Sequence, residues 1–227
     1  MFKIIDLSYP QDETAIIPGH PKFTLISVTT HEKEGRRNTA LTTSMHAGTH
    51  VDSPFHFVPN GIPIDQVPLE QLFGSIAFFD LRDKLKPKEQ ITVELLQQNS
   101  PDVPLNNKVA MVCTEWLDKV GHGAKAYYEE NPHFHPDASK WLVEQKVKCM
   151  ALDFPVDALT PGGARPGDAP NHRTFLGGGV LLVENLCNLK QVKDVDAYFC
   201  AMPIKLTGQD GALTRAVAIV KSSLLAN

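Results

Sequence analysis

Three histidines and an aspartate fall within eleven consecutive positions, in the segment His46-Ala47-Gly48-Thr49-His50-Val51-Asp52-Ser53-Pro54-Phe55-His56. His46, His50, Asp52 and His56 all occupy even positions, so a straight strand would carry them on one face. At about 3.3 Å per residue, however, that strand would hold His46 and His56 roughly 33 Å apart. Ligands of a single ion must each reach it at about 2.0–2.2 Å, so the chain has to curl. Gly48 permits a bend and Pro54 removes a ladder donor; a turn that carries His46 towards His50, followed by an extended His50-x-Asp52 pair, would bring the group together. Three imidazoles and a carboxylate converging without a cation would be crowded, and protonated rings would repel one another. A bound divalent metal is the chemistry this spacing points to.

A complete site draws ligands from distant elements, and two residues qualify. His172, in Pro170-Asn171-His172, ends a long Pro/Gly-rich stretch. Glu184 follows the apolar run Gly179-Val180-Leu181-Leu182-Val183, where a bare carboxylate after a buried strand needs a partner; a helix N-terminal carboxylate ahead of Asn185-Leu186 is the other reading. Asp153, after Lys148 to Leu152, reads as an acceptor behind a ligating imidazole. His133 and His135 are flanked by proline and read as a surface turn, and His20, His31 and His122 carry no signal. Cys113 lacks a nucleophile signature and reads as a core thiol. Gly177-Gly178-Gly179 has the wrong spacing for a dinucleotide fingerprint, and no G-x-S-x-G occurs.

The elements that must position these residues alternate between strand and helix. Strands are expected at Lys3 to Leu7, Phe23 to Thr30, Asn38 to Met45, Ser75 to Asp80, Lys108 to Cys113, Lys148 to Asp153, Val180 to Val183, Ala197 to Pro203 and Thr214 to Val220. Helices are expected at Leu69 to Leu72, at Thr92 to Gln98 with Thr92 as cap, and at Asp137 to Gln145 with Asp137 as cap. Asp157 to Pro170 is the longest irregular region, and loops of that length in compact domains are usually functional. No repeat or linker interrupts the chain. The fold class is α/β: a single domain over residues 1–227, with a mixed β-sheet and two or three helices.

The 227 residues carry 22 Lys+Arg against 26 Asp+Glu, a net charge of −4, and no basic run longer than Arg36-Arg37. That balance disfavours nucleic acid. No apolar stretch reaches the 18 or so residues of a membrane span, and Asp6 and Pro10 interrupt the N-terminus before a signal peptide could develop. Cys113, Cys149, Cys187 and Cys200 are widely spaced without C-x-x-C, which reads as reduced thiols in a cytoplasmic protein.

His46 to His56 resembles the H-x-G-T-H-x-D-x-P-x-H signature of the cyclase family of metal-dependent hydrolases, which includes bacterial kynurenine formamidases and isatin hydrolases. The resemblance extends to Pro18-Gly19, Thr114-Glu115-Trp116, Trp141-Leu142, Asn171-His172, Glu184-Asn185-Leu186 and Gly208-Gln209-Asp210-Gly211. It implies a swivelling β/β/α fold, a homodimer or homotetramer, and metal ligands at His46, His50, Asp52, His172 and Glu184, with His56 as acid/base. Two positions depart from the pattern. Ile17 stands where formamidases commonly carry a pocket-lining Trp, which makes Ile17 a candidate substrate-binding residue. Glu115 replaces a small residue, either adding a charge to the pocket or facing outward.

Imidazoles and carboxylates without thiolate suit Zn or Mn, and two carboxylates that can bridge suit a pair of ions, with one ion as the fallback. The implied reaction is hydrolysis of a small amide, cyclic amide or lactone by metal-activated water, with His56 shuttling a proton. Two other classes stand beside it. A non-haem Fe(II) oxygenase would use His50, Asp52 and His172, leaves His46, His56 and Glu184 without work, and would require Fe(II) and O₂. A non-catalytic metal-binding family member would hold metal and hydrolyse nothing.

Overall fold

Val109-Ala110-Met111-Val112-Cys113 is fully buried along its whole length, which a strand achieves only when both of its faces are covered. The computed structural model describes residues 2–14, 17–121, 123–159, 168–193 and 195–221. Its strands are β1 (Phe2–Asp6), β2 (Thr24–Thr29), β3 (Asn38–Thr42), β4 (His50–Asp52), β5 (Phe73–Asp80), β6 (Gln90–Ile91), β7 (Val109–Cys113), β8 (His133–Phe134), β9 (Cys149–Leu152), β10 (Leu181–Glu184), β11 (Ala197–Cys200), β12 (Gly211–Leu213) and β13 (Val217–Lys221). The helices are α1 (His31–Glu34), α2 (Val93–Gln98), α3 (Trp116–Val120), α4 (Ala126–Glu129), α5 (Pro136–Glu144) and α6 (Pro170–Gly177).

Nine strands form one mixed sheet in the order β1-β13-β11-β5-β7-β9-β10-β4-β12. β5, β7, β9 and β10 are parallel, and antiparallel strands extend the sheet on both sides. Side chains alternate across it. Val109, Met111 and Cys113 join one apolar cluster, whereas Ala110 and Val112 join another with Leu96, Leu142 and Phe175 from α2, α5 and α6. The first cluster also holds Ile5 of β1 and Ala212 of β12, from opposite ends of the strand order, so the sheet curls over its own core. The backbone bond from Cys187 N to Leu7 O, 2.9 Å, ties the chain after β1 to the chain after β10. The expected α/β class with a mixed sheet is what the chain adopts.

Several boundaries differ from the sequence expectations, each for a local reason. β2 and β3 pair only with each other, as a ribbon apart from the main sheet. The expected closing strand, Thr214 to Val220, starts three residues later as β13, paired with β1 and β11, and the sequence reading had no counterpart for β12, which precedes it and pairs with β4. Helix α5 is capped by His135, whose Nδ1 accepts from Asp137 N at 3.2 Å. Pro136, which needs no N–H partner, takes the first helical position and moves the cap back from Asp137. Thr92 caps α2 as expected, accepting from Leu95 N. Part of the expected long loop, residues 160–167, lies outside the described residues. His172 does not end that loop but sits in α6, which starts with Pro170 at its first position.

Asp153 also has a different task from the expected one. Its fully buried carboxylate accepts from Thr114 N (2.9 Å), Thr114 Oγ1 (2.7 Å) and Glu115 N (2.7 Å), where Glu115 adopts a left-handed φ of 58° to open α3. The carboxylate joins β9 to the turn after β7 and backs no imidazole. Asp153→Ala leaves three donors without this acceptor, at about 1–3 kcal/mol for each one left buried, so urea unfolding is expected to show a loss of about 3 kcal/mol or more.

Candidate metal centre

β4 is a short strand whose residues are all buried, and its period of two puts His50 and Asp52 on one face. Across it, Glu184 at the end of β10 pairs in register with His50, and Gly211 of β12 pairs with Asp52. His46 joins them through a tight turn at Gly48, whose φ of 62° suits glycine. The His46 and His50 rings then stand 5.2 Å apart. His50 Nδ1 donates to Gly48 O at 2.8 Å; a carbonyl can only accept, so this bond leaves Nε2 to face Asp52 Oδ1 at 3.1 Å. Asn185 Nδ2 donates to the same carbonyl at 2.8 Å and holds the turn from behind.

His56 arrives from the other side. Pro54–His56 forms a single 3-10 turn with Pro54 at its start, and the His56 ring stacks on His46 with centroids 3.8 Å apart and planes 21° apart. His172 is set by Asp157. One oxygen of that carboxylate accepts Asn171 N and Asn171 Nδ2; the other accepts His172 N at 3.0 Å and His172 Nδ1 at 2.7 Å. A single side chain thereby satisfies N–H groups at the start of α6 and fixes the imidazole. His172 Nε2 points inward, 3.6 Å from Asp52 Oδ2 and 3.9 Å from Glu184 Oε1. Glu184 Oε1 accepts from Val156 N at 2.7 Å, and no helix starts at Asn185, so Glu184 caps no helix there and its carboxylate faces the imidazoles.

The six residues named for metal or proton transfer thus converge. Ligand atoms of His46, Asp52 and His56 lie within 4.8 Å of one another, as do those of His50, Asp52 and Glu184. Asp52 belongs to both groups, and its buried Oδ2 has no hydrogen-bond partner among the described residues. A carboxylate oxygen with no donor, beside imidazole nitrogens and a second carboxylate, fits a cation. These residues line a cavity of about 260 Å³ whose apolar wall includes Ile17, Pro18, Phe57 and Leu159. Glu115 does not line this cavity and pairs with Lys190 at 3.0 Å.

Four contributors were given no role by the sequence reading, although Asn185 and Asp210 lie in motifs that carry the resemblance. His20, which carried no signal, lines the cavity with Nδ1 2.8 Å from Ser44 Oγ; its place after the Ile17-Pro18-Gly19 turn was the available cue. Asp157 and Asn185 are neighbours of flagged positions whose roles depend on side-chain direction. Asp210 reaches His46 Nε2 at 2.9 Å from a loop 164 residues away. His133 and His135 belong to β8 and the α5 cap, and neither lines the cavity.

Charge in the metal-free site is unevenly shared. Burial disfavours the charged form of His46, but Asp52 and Asp210 beside it prevail and push its pKa up to about 10. Burial lowers the pKa of His56, the opposite direction to the stacked His46. His172 is raised, Asp157 and Glu184 outweighing its burial. Glu184 is raised by burial, whereas the surrounding imidazoles, His50 and His46 foremost, overcome burial to hold Asp52 low.

The Cyclase family model matches residues 5–157. A kynurenine formamidase of Bacillus cereus (strain ATCC 10987 / NRS 248) is 29% identical over 217 residues, 94% of this chain and 95% of its own length. One of Bacillus mycoides (strain KBAB4) is 30% identical over the same shares of both chains. Among solved structures, isatin hydrolase A from Labrenzia aggregata bound to benzyl benzoate shares the fold at a TM-score of 0.81, with 22% identity, over 96% of this chain and 94% of that one.

The raised His46 pKa has a sign that can be measured. With the folded value above the ordinary 6.5, the stabilisation is full below about pH 6.5 and is lost as pH rises through about 10. In EDTA, the thermal midpoint of the protein is expected to fall between pH 7 and pH 10, with a smaller fall in His46→Gln.

Proposed function

The chain belongs to the Cyclase family, and on that premise we propose that it is a metal-dependent hydrolase of small amides, cyclic amides or lactones. The observation that carries this reading is Asp52, which belongs to both groups of imidazole and carboxylate ligand atoms and whose buried Oδ2 lacks a hydrogen-bond donor among the described residues. The formamidases that match nearly the whole chain support the same reaction class. His46, His50, Asp52, His172 and Glu184 would hold the metal, with Asp52 common to both groups; imidazoles and carboxylates suit Zn or Mn. A divalent ion in that setting supplies Lewis-acid polarisation of the scissile carbonyl and acidifies a water to a pKa of about 7.

The remaining steps belong to the protein. His56 has its Nδ1 on the Asp210 side, which leaves Nε2 to take a proton from the attacking water and return it to the leaving nitrogen or oxygen. One C–O bond forms, and the C–N or ester C–O bond breaks. Ile17, Pro18, Phe57 and Leu159 receive the apolar part of the substrate and exclude water from that wall. Ile17 leaves the wall without the broad aromatic surface that a Trp would supply for stacking.

Assembly as a homodimer or homotetramer belongs to this proposal. The β2–β3 ribbon presents Leu25, Ile26, Val28 and Leu41, each about half exposed, and a two-stranded ribbon is marginal without cover. Cytoplasmic location is proposed on the free cysteines; among the described residues no helix is long and apolar enough to cross a membrane. Light scattering is expected to give a multiple of the 25.0 kDa chain mass, and a monomer overturns the assembly.

The reading is tested by metal analysis of the purified protein and a hydrolysis screen that includes N-formylkynurenine and isatin. His56→Ala is expected to keep its metal and lose about 10²- to 10⁴-fold in kcat, whereas His50→Ala and Asp52→Ala lose metal as well as turnover. Full activity in His56→Ala removes the acid/base assignment.

A further inference from the structure

We infer that Asp210 is a positioning residue that holds His46 and His56 as a working pair, an inference that rests on the hydrolase reading above. A single oxygen, Oδ2, lies 2.9 Å from His46 Nε2 and 3.5 Å from His56 Nδ1. The two rings are stacked, and stacked imidazoles make no hydrogen bond to each other. One carboxylate oxygen at their common edge, hydrogen-bonded to His46 and within ion-pair distance of His56, is placed to set both orientations. With His46 Nε2 engaged by Asp210, Nδ1 faces Asp52 at 2.7 Å. With His56 Nδ1 directed at the same carboxylate, Nε2 is left for proton transfer.

The loop that carries Asp210 is fixed without its side chain. Asp210 O accepts from Ser53 N at 3.0 Å and from Ser53 Oγ at 2.9 Å. Gln209 O accepts from Ile64 N at 2.9 Å, and Gly208 N donates to Asp65 Oδ1 at 2.9 Å. Gly211 completes the approach, since a Cβ there would stand 2.9 Å from His46 Cε1 and 2.8 Å from Val51 O. The carboxylate is therefore aimed by a rigid frame, in the arrangement by which second partners of ligating histidines commonly act. Ser53 lies within the histidine segment itself, so the segment and its clamp are joined directly.

The test uses the full-length enzyme loaded with whichever of Zn(II) or Mn(II) supports turnover, and compares Asp210→Ala, Asp210→Asn, His56→Ala and the Asp210→Ala/His56→Ala double variant. Asp210→Ala is expected to weaken metal binding about 10- to 100-fold in a chelator competition and, at saturating metal, to lower kcat about 10- to 100-fold. KM is expected to stay within about 3-fold, since the carboxylate acts through His56 and not on substrate. Asp210→Asn, which keeps an accepting oxygen, is expected to recover part of both losses. In the His56→Ala background, removing Asp210 is expected to cost less than about 2-fold further in kcat at saturating metal, as residues acting as one unit do. An undiminished further loss in that background, or unchanged metal affinity and kcat in Asp210→Ala beside a crippled His56→Ala, overturns the inference alone. A fully active His56→Ala instead overturns the acid/base reading on which it rests.

Discussion

One carboxylate sets the terms for the site. Asp52 is fully buried, and one of its oxygens lacks any donor, so its negative charge requires positive charge close by. The nearby imidazoles offer part of it, Asp52 and Asp210 pushing the pKa of His46 up to about 10. A divalent ion would supply it more completely and leave the imidazoles neutral, as ligands must be. The same geometry therefore accounts for the mutual pull of these groups and for their fit to a cation.

The fold meets this requirement by dividing the labour between strands and loops. β4 lies between β10 and β12, so His50, Asp52 and Glu184 come from adjacent strands whose register is set by ladder bonds. His46, His56 and His172 come from turns and a helix start, and each needs a separate fixing contact. Gly48 supplies the bend for His46, a 3-10 turn carries His56, and Asp157 clamps His172 to the end of α6. Away from the cavity the same device recurs where Asp153 gathers the donors of Thr114 and Glu115.

Much of this was legible along the chain. The spacing of His46, His50, Asp52 and His56 demanded a curl, and the left-handed Gly48 provides it. The apolar runs around Val109, Cys149 and Leu181 marked the parallel strands, because strands covered on both faces read as continuous hydrophobic stretches. His172 and Glu184 were visible as polar residues at the ends of elements. Illegible were the carboxylates that orient the histidines. Asp153 and Asp157 are both aspartates just beyond the same strand, and only side-chain direction decides that Asp157 holds His172 while Asp153 holds a turn.

The local sequence determined the chemical inventory, the period-two placement of His50 and Asp52, and the turn at Gly48, since each depends on contacts over a few residues. Only the tertiary structure decided that β12 lies beside β4 and not in one strand with β13. That placement brings Asp210 to the stacked pair, and other long-range packing puts His20 in the cavity wall and sets Glu115 against Lys190. These pairings span up to 164 residues and arise from the curl of one sheet over its core, a global packing constraint that no window of sequence contains.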